Sequence, residues 1–508
     1  MKPSLTRRDV FRAGAVGAAA SRIGAANASE SNIYTRIGVR PFINLTATYT
    51  INGGTLTLPE VKRAMEEASH HPVNIDELME KAGARLAQLL GSESAIVTAG
   101  SAAALAHATA ACVAGADPEM MQQLPDLRGL KDQVIAPRQS RHVYDHAIRS
   151  VGVKIVEVDS REEFYAALGK RTAMIAVLGT GEARGKLRLE EMAEAGRKHG
   201  VPVLVDAAAE LPLRPNPYLS RGADMVAYSG GKIIRGPQCA GLLLGRRDLV
   251  RAAWLNSSPH HAFGRSMKVG KEEIMGMLAA IEVWTGKRDM QAEYREWESW
   301  YASISDTITA VAGVRTELRP PLGASPFPVL NVEWDPARIG LTAGELGRML
   351  LDGEPRIMSH AEGDGNSFVI RPAAMKPGEY KLVARRLHDI FSKAQPRVPP
   401  ALAPPAADVA GRWDVEMEFA CGSARHRLFL ETSGNRVTGT HFGRSLTGEL
   451  NGVIDGDRVR FRSSFPYEGT RLSYEFSGAV EGDRISGEVS LGEYGQARFT
   501  AQRHRYRA

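Results

Sequence analysis

The chain has 508 residues, 43% hydrophobic and 24% charged, with a net charge of +6. That length and composition describe a globular protein of more than one domain with enough apolar material for large cores. The charge excess is mild, and without long basic runs or basic–aromatic interleaving it gives no nucleic-acid signature. The three cysteines, Cys112, Cys239 and Cys421, lie far apart with no CxxC pair, so neither a disulfide framework nor a zinc site is expected, and no metal.

The N-terminus carries Thr6-Arg7-Arg8-Asp9-Val10-Phe11, a weakly apolar run Ala13 to Ala20, and Ala26-Asn27-Ala28. A charged region, an apolar region and an A-x-A site make a signal peptide over residues 1–28, and the paired arginines give it a twin-arginine form. Export to the periplasm is the expectation; a plain N-terminal tail is the alternative. No later stretch is long and apolar enough to span a membrane.

From about Tyr34, apolar strands alternate with helical segments. Leu58 to Ser69 and Asp76 to Leu90 read as amphipathic helices, the second capped at Ile75-Asp76. Ala95 to Val97 is an apolar strand, and Thr98-Ala99-Gly100-Ser101-Ala102 opens an Ala-rich helix to about Ala114. Backbone N–H groups among small residues at a helix N-terminus suit an anion, so Gly100, Ser101 and Ala102 form a candidate phosphate cradle. A polar loop is expected over Asp117 to Lys131, then a strand at Val134 to Ala136 and a helix at Tyr144 to Val151. Lys154 to Val158, Thr172 to Leu178, Leu189 to His199 and Val201 to Asp206 continue the alternation. Strands alternating with helices imply a parallel sheet covered on both faces.

Val201 to Asp206 ends on a carboxylate, and ligands of open α/β sheets bind at such strand ends. Next come two apolar runs, Ala223 to Ala227 and Ala240 to Gly245, around Ser229-Gly230-Gly231-Lys232. A lysine in such a tight loop is partly desolvated, which lowers its pKa and makes it a candidate Schiff-base nucleophile. Ser229, three residues earlier, is placed to donate to a phosphate. Each feature alone also has an ordinary reading: a surface lysine in a turn, a strand-end aspartate capping a turn, and a common strand-to-helix turn.

A long helix from about Val269 to Tyr301 leads out of this large domain, 34–300. Residues 301–393 read as a smaller α/β domain. A stiff proline-rich linker, 394–410, follows. Over 411–508 the pattern changes to short strands at Trp413 to Phe419, Arg427 to Thr432, Arg436 to His441, Arg458 to Ser463, Leu472 to Ala479, Arg484 to Val489 and Ala497 to Gln502. The turns Ser433-Gly434-Asn435, Asp455-Gly456-Asp457 and Glu481-Gly482-Asp483 separate strands of a small antiparallel barrel or sandwich. It holds no catalytic constellation, and its role is read as packing or assembly.

The order cradle, Asp206, Lys232 resembles fold-type I pyridoxal phosphate (PLP) enzymes. The resemblance is to the selenocysteine synthase-like branch, which includes L-seryl-tRNA(Sec) selenium transferase and D-glucosaminate-6-phosphate ammonia lyase. It is carried from about Tyr34 to Ile390 by Gly38-Val39-Arg40-Pro41, Asp76-Glu77-Leu78, Tyr144-Asp145-His146-Ala147, Asp206-Ala207-Ala208-Ala209, Ser229-Gly230-Gly231-Lys232, Gly236-Pro237-Gln238, Asn256 to His261 and Gly264 to Lys271. It implies PLP held by Lys232 as an internal aldimine, with Asp206 keeping the pyridine nitrogen protonated. It implies His142 stacked on the ring, with Arg265 and Lys268 (beside Lys271) reaching a neighbouring subunit's phosphate in a homodimer or larger assembly. Arg371, ending Phe368-Val369-Ile370, would clamp a substrate carboxylate bidentately. The implied function acts on an amino acid or amino sugar acid through an external aldimine and α-carbanion, with loss of a β-substituent giving a lyase. Selenium transfer, racemisation, and a non-catalytic binding protein on the same fold are the alternatives.

Overall fold

The computed structural model describes residues 32–322, 325–397 and 401–505; the twin-arginine segment lies outside them. The described residues 32–42 belong to one unit and hold a 3-10 turn, Thr35–Ile37. Everything from Ile43 onward forms the other unit.

In that second unit a short strand β1 (Ile43–Asn44) precedes helices α1 (Pro59–Ser69) and α2 (Ile75–Leu90). Asn74, not Ile75-Asp76, caps α2: its side chain accepts from the Glu77 N–H at 3.0 Å. Strand β2 (Ser94–Thr98) runs into α3 (Gly100–Ala114). The expected polar loop after it contains a short helix, α4 (Pro118–Gln123), started by Pro118 and capped by Asp117. Then follow β3 (Gln133–Pro137), α5 (Asp145–Arg149), β4 (Lys154–Val158), α6 (Arg161–Ala167), β5 (Thr172–Leu178), α7 (Gly179–Glu182), α8 (Leu189–His199), β6 (Val203–Asp206), β7 (Met225–Ser229), β8 (Gly241–Gly245) and α9 (Arg247–Leu255).

Seven of these strands make one sheet in the order β2-β8-β7-β6-β5-β3-β4. Neighbours pair parallel except around β8, which runs antiparallel to both β2 and β7. Its strands β5, β6 and β8 are buried except at Leu178, the last residue of β5, as a sheet covered on both faces requires. Where one long helix was expected there are two, α10 (Lys271–Gly286) and α11 (Met290–Ile308). The break has a local cause: the Asp289 side chain accepts from the Gln291 and Ala292 N–H groups and starts a new helix.

A second core is built on β9 (Val314–Arg319), β10 (Val329–Trp334), α12 (Ala343–Asp352), β11 (Ile357–Met358), β12 (Ser367–Ile370) and α13 (Glu379–Lys393). It also takes in Ile43, Leu45 and Ala47, because β1 pairs parallel with β11. The start of this unit therefore packs with the smaller sheet.

The C-terminal strands are β13 (Gly411–Glu418), β14 (Ser423–Ser433), β15 (Arg436–Phe442), β16 (Thr447–Asp455), β17 (Arg458–Tyr467), β18 (Thr470–Glu481), β19 (Arg484–Ser490) and β20 (Gln496–Arg503). They close into an eight-stranded antiparallel barrel around Trp413, Phe461, Phe476 and Phe499. One strand, β16, is absent from the sequence reading: Gly448, Asn451 and Gly452 break its apolar alternation. Inside the barrel runs a buried polar chain. His426 Nδ1 lies 2.8 Å from His441 Nε2, and His441 Nδ1 lies 2.6 Å from Ser463 Oγ.

Candidate active site

Strands β6 and β7 run parallel with Asp206 opposite Ala227, so their carboxyl ends open side by side. Asp206 is buried there, and the Ala208 N–H donates to its Oδ1 at 3.0 Å. Lys232 lies in the loop just beyond β7. That loop is closed by its own backbone: Gly230 N–H donates to Ala240 O and Gly236 N–H to Gly230 O, both at 2.8 Å. Side chains do not fit at its glycines. A Cβ on Gly230 would sit 2.8 Å from Met277 Sδ, and one on Gly231 would sit 2.1 Å from Gln238 Oε1. Burial lowers the Lys232 pKa below the usual lysine value, while the Asp206 carboxylate works in the opposite direction. Its Nζ is 5.9 Å from the centroid of the Tyr144 ring.

The cradle meets this loop through β8. Gly241 pairs with Thr98 of β2 on one side and with Ser229 of β7 on the other. A Cβ on Gly241 would lie 2.4 Å from the Gly100 carbonyl carbon and 2.6 Å from the Ser101 nitrogen. Glycine at 241 thus lets β8 press directly on the start of α3. Among the described residues no side chain caps that start, which leaves its N–H groups available to an anion.

His142 also reaches Asp206: its Nε2 is 3.5 Å from Asp206 Oδ2. Arg371 is half-buried at the end of β12, its N–H donating to Leu45 O at 3.0 Å. Among the described residues no carboxylate pairs with its guanidinium. Arg265 and Lys268 are exposed, and the structure gives neither a hydrogen bond nor an ion pair from them to Lys232, Asp206 or His142. The nearest polar partner of Arg265 is Ser258 Oγ, at 3.4 Å.

Three neighbours of the site were given no role in the sequence reading. Tyr144 stood there as a helix start and, like Gln238, within a segment that carries the resemblance. Gln238 wedges its amide against Gly54 and Gly231, with Oε1 buried and unpartnered among the described residues. Glu210 follows Asp206 by four residues and hydrogen-bonds the Tyr218 hydroxyl; burial raises its pKa, that hydrogen bond lowers it, and the Asp206 charge raises it further. The only signal for Glu210 was a second carboxylate close behind the first.

These features define a fold-type I PLP enzyme: a lysine after the strand next to an aspartate-ended strand, and an uncapped helix start on the same sheet. The class-V aminotransferase family model matches residues 60–268. The chain is 33% identical over 374 residues to 5'-C-glycyluridine monooxygenase-decarboxylase from a Streptomyces species, spanning 70% of this chain and 92% of that protein. It is 28% identical to D-glucosaminate-6-phosphate ammonia lyase of Salmonella typhimurium, over 72% of this chain and 99% of the relative. L-Seryl-tRNA(Sec) selenium transferase of Moorella thermoacetica is 27% identical over 282 residues, 49% of this chain and 56% of that one. A solved structure of D-glucosaminate-6-phosphate ammonia lyase superposes with a TM-score of 0.64 at 28% identity, using 72% of this chain and all of that one. The chain belongs to the selenocysteine synthase-like family of fold-type I PLP-dependent enzymes. The residues present fit the cofactor: Lys232 would hold it, Asp206 would face its ring nitrogen and the uncapped start of α3 would take its phosphate. Ser140 Oγ, buried and unpartnered among the described residues, lines the same cavity as His142 and Asp206.

Proposed function

We propose that this enzyme is an α,β-eliminating lyase for an amino acid or amino sugar acid. The observation that carries the reading is the half-buried Lys232, in the loop just past β7, within electrostatic reach of the buried Asp206 that ends the adjacent parallel strand. The relation to an ammonia lyase over nearly all of that relative's length supports elimination over the other outcomes of the fold.

PLP, when bound, supplies a sink for the electron pair left by removal of the substrate α-proton. Lys232, with its ammonium disfavoured by burial, takes up that proton on Nζ. The buried Asp206 carboxylate would hold a proton on the ring nitrogen, and His142, 3.5 Å from Asp206, would pack on the ring face. The backbone N–H groups of Gly100, Ser101 and Ala102, with the Ser229 hydroxyl, hold the phosphate. The Arg371 fork, free of carboxylate partners among the described residues, takes the substrate carboxylate. Arg265 and Lys268, exposed on one chain, complete the phosphate site of a second copy, so the active form is a homodimer or larger.

The reading of residues 1–28 as a twin-arginine signal supports export to the periplasm as a folded holoenzyme. Among the described residues no helix is long and apolar enough to cross a membrane.

Borohydride reduction followed by peptide mapping tests the central assignment. The pyridoxyl group is expected on the peptide containing Lys232. Its appearance on another lysine, or on none, refutes the site. Light scattering at the mass of one chain from a fully active sample refutes the shared phosphate site.

A further inference from the structure

The barrel has four two-residue turns between paired strands: 434–435, 456–457, 468–469 and 482–483. Three of them put glycine first, with left-handed backbone: Gly434 at φ 57, Gly456 at φ 59 and Gly482 at φ 60. Two-residue hairpins demand that conformation at their first position, and glycine alone adopts it freely. The fourth turn reverses the order. Glu468 stands first, at φ 51, and Gly469 stands second. A side chain is held in backbone that disfavours it, and the glycine is placed where φ does not require it. Such an outlier calls for a cause outside the turn.

The up-and-down order of the barrel places the three glycine-first turns at one end and 468–469 at the other. There the turn meets the loop before α5. The Glu468 carboxylate accepts from Arg141 Nη2 at 2.6 Å. A Cβ on Gly469 would lie 2.1 Å from His142 O and 2.6 Å from Asp145 Oδ2. The order Glu-Gly is therefore fitted to the surface that the turn touches, not to the turn itself.

That surface leads to the cofactor site. The Arg141 side chain, only 10% exposed, is shared by three carboxylates: Asp145 through Nε at 2.5 Å, Glu157 through Nη1 at 3.1 Å, and Glu468. Asp145 N–H donates to His142 O at 2.9 Å, closing the turn that carries His142. Tyr144 N–H donates to His142 Nδ1 at 3.3 Å, so the ring proton is on Nε2, the nitrogen facing Asp206. Tyr144, two residues on from His142, has its ring centroid 5.9 Å from Lys232 Nζ.

We propose that Glu468 is a positioning residue of the active site. Acting through Arg141, the barrel hairpin clamps the 141–145 turn and so fixes His142 against Asp206. The barrel is then a working wall of the catalytic unit. This inference rests on the assignment of Lys232 and Asp206 as the cofactor site.

The test uses full-length holoenzyme with Glu468→Gly, Glu468→Gln and, as a control on the barrel surface, Arg498→Gln. Arg498 makes an exposed ion pair with Glu418 at 2.9 Å. Glu468→Gly gives the turn the residue that its backbone prefers, so it is expected to melt no lower than wild type. Both Glu468 variants are expected to raise amide hydrogen exchange across residues 138–146, with and without PLP. They are also expected to weaken the visible circular dichroism of the bound cofactor and to lower kcat about tenfold or more with a smaller change in KM. Arg498→Gln is expected to change none of these. Wild-type exchange, dichroism and kcat in Glu468→Gly overturn the proposal. Raised exchange with unchanged dichroism and kcat overturns it too, because the contact would then only hold the domains together. Failure of the underlying site assignment is separately visible, as a wild-type protein without pyridoxyl-Lys232, and the exchange measurement still decides whether the clamp exists.

Discussion

His107 sets an acid limit on this fold. It lies in the interior of α3, the cradle helix, at 1% exposure, and neither ring nitrogen has a protein partner among the described residues. A Cβ on Gly264 would lie 2.5 Å from its Nε2, so the ring fills the contact between α3 and the 256–268 segment. Burial pushes its pKa from 6.5 down to about 4. The unfolded chain therefore binds a proton that the folded chain refuses between those two values. The stability tied to this ring is complete above pH about 6.5 and is lost as the pH falls toward about 4. At pH about 4.5 the unfolded ring is almost fully protonated and the folded one about a quarter so, which costs about 2–3 kcal/mol relative to pH 8. Against a total of about 5–15 kcal/mol for a folded domain, that is a large share. Calorimetric and urea melts of wild type and His107→Leu at pH 8 and 4.5 read this directly. The leucine variant is expected to lose about 2–3 kcal/mol less on acidification than wild type. Equal losses in the two proteins would refute the assignment of a buried neutral ring.

Asp206→Asn is expected to keep bound cofactor by absorbance while losing most turnover, because a neutral pyridine is a poorer sink. Gly241→Ala, by driving a methyl into the Gly100–Ser101 backbone, is expected to weaken PLP binding in an absorbance titration and to leave the barrel intact. Replacing Arg7 and Arg8 together by lysine is expected to leave the holoenzyme in the cytoplasm on cell fractionation; unaffected export rejects the twin-arginine route.

The sheet and the strand-end placement of Asp206 and Lys232 were legible because each carried a local signature. Val201 to Asp206 is an apolar run ending in a charge, and Lys232 sits between two such runs with glycines beside it. Glycines 230, 231 and 241 are there for space against Met277, Gln238 and Gly100, a demand that sequence shows only as small residues in a row. The break was marked locally by Gly286 and the capping Asp289, and it was passed over because helical pattern runs on both sides of them. Strand β16 was hidden because barrel closure, not its own alternation, makes it a strand. The Arg141–Glu468 ion pair joins residues 327 positions apart. Nothing local to either residue announces it, and the barrel was accordingly read as packing or assembly.

Two adjacent isoleucines show how the domains bear on the chemistry. Ile233 is buried in the core of the smaller sheet, with Trp297, Tyr301 and Leu45, whereas Ile234 is buried in the core of the large sheet. The residue before them is Lys232. Arg288, at the break between α10 and α11, donates to Ile233 O while its guanidinium also pairs with Glu293. Arg235 donates to Leu56 O at 2.9 Å, tying the far side of the loop to the segment before α1. The lysine loop is thus pinned from both domains at consecutive residues, with no slack between the pins. A change that shifts the smaller core, such as truncation of Trp297 or Tyr301, moves Ile233 while Ile234 stays with the sheet. The displacement then falls on the backbone of Lys232. With Lys232 as the proposed cofactor lysine, Trp297→Ala is expected to weaken PLP retention in an absorbance titration while the barrel stays folded; unchanged retention refutes the coupling.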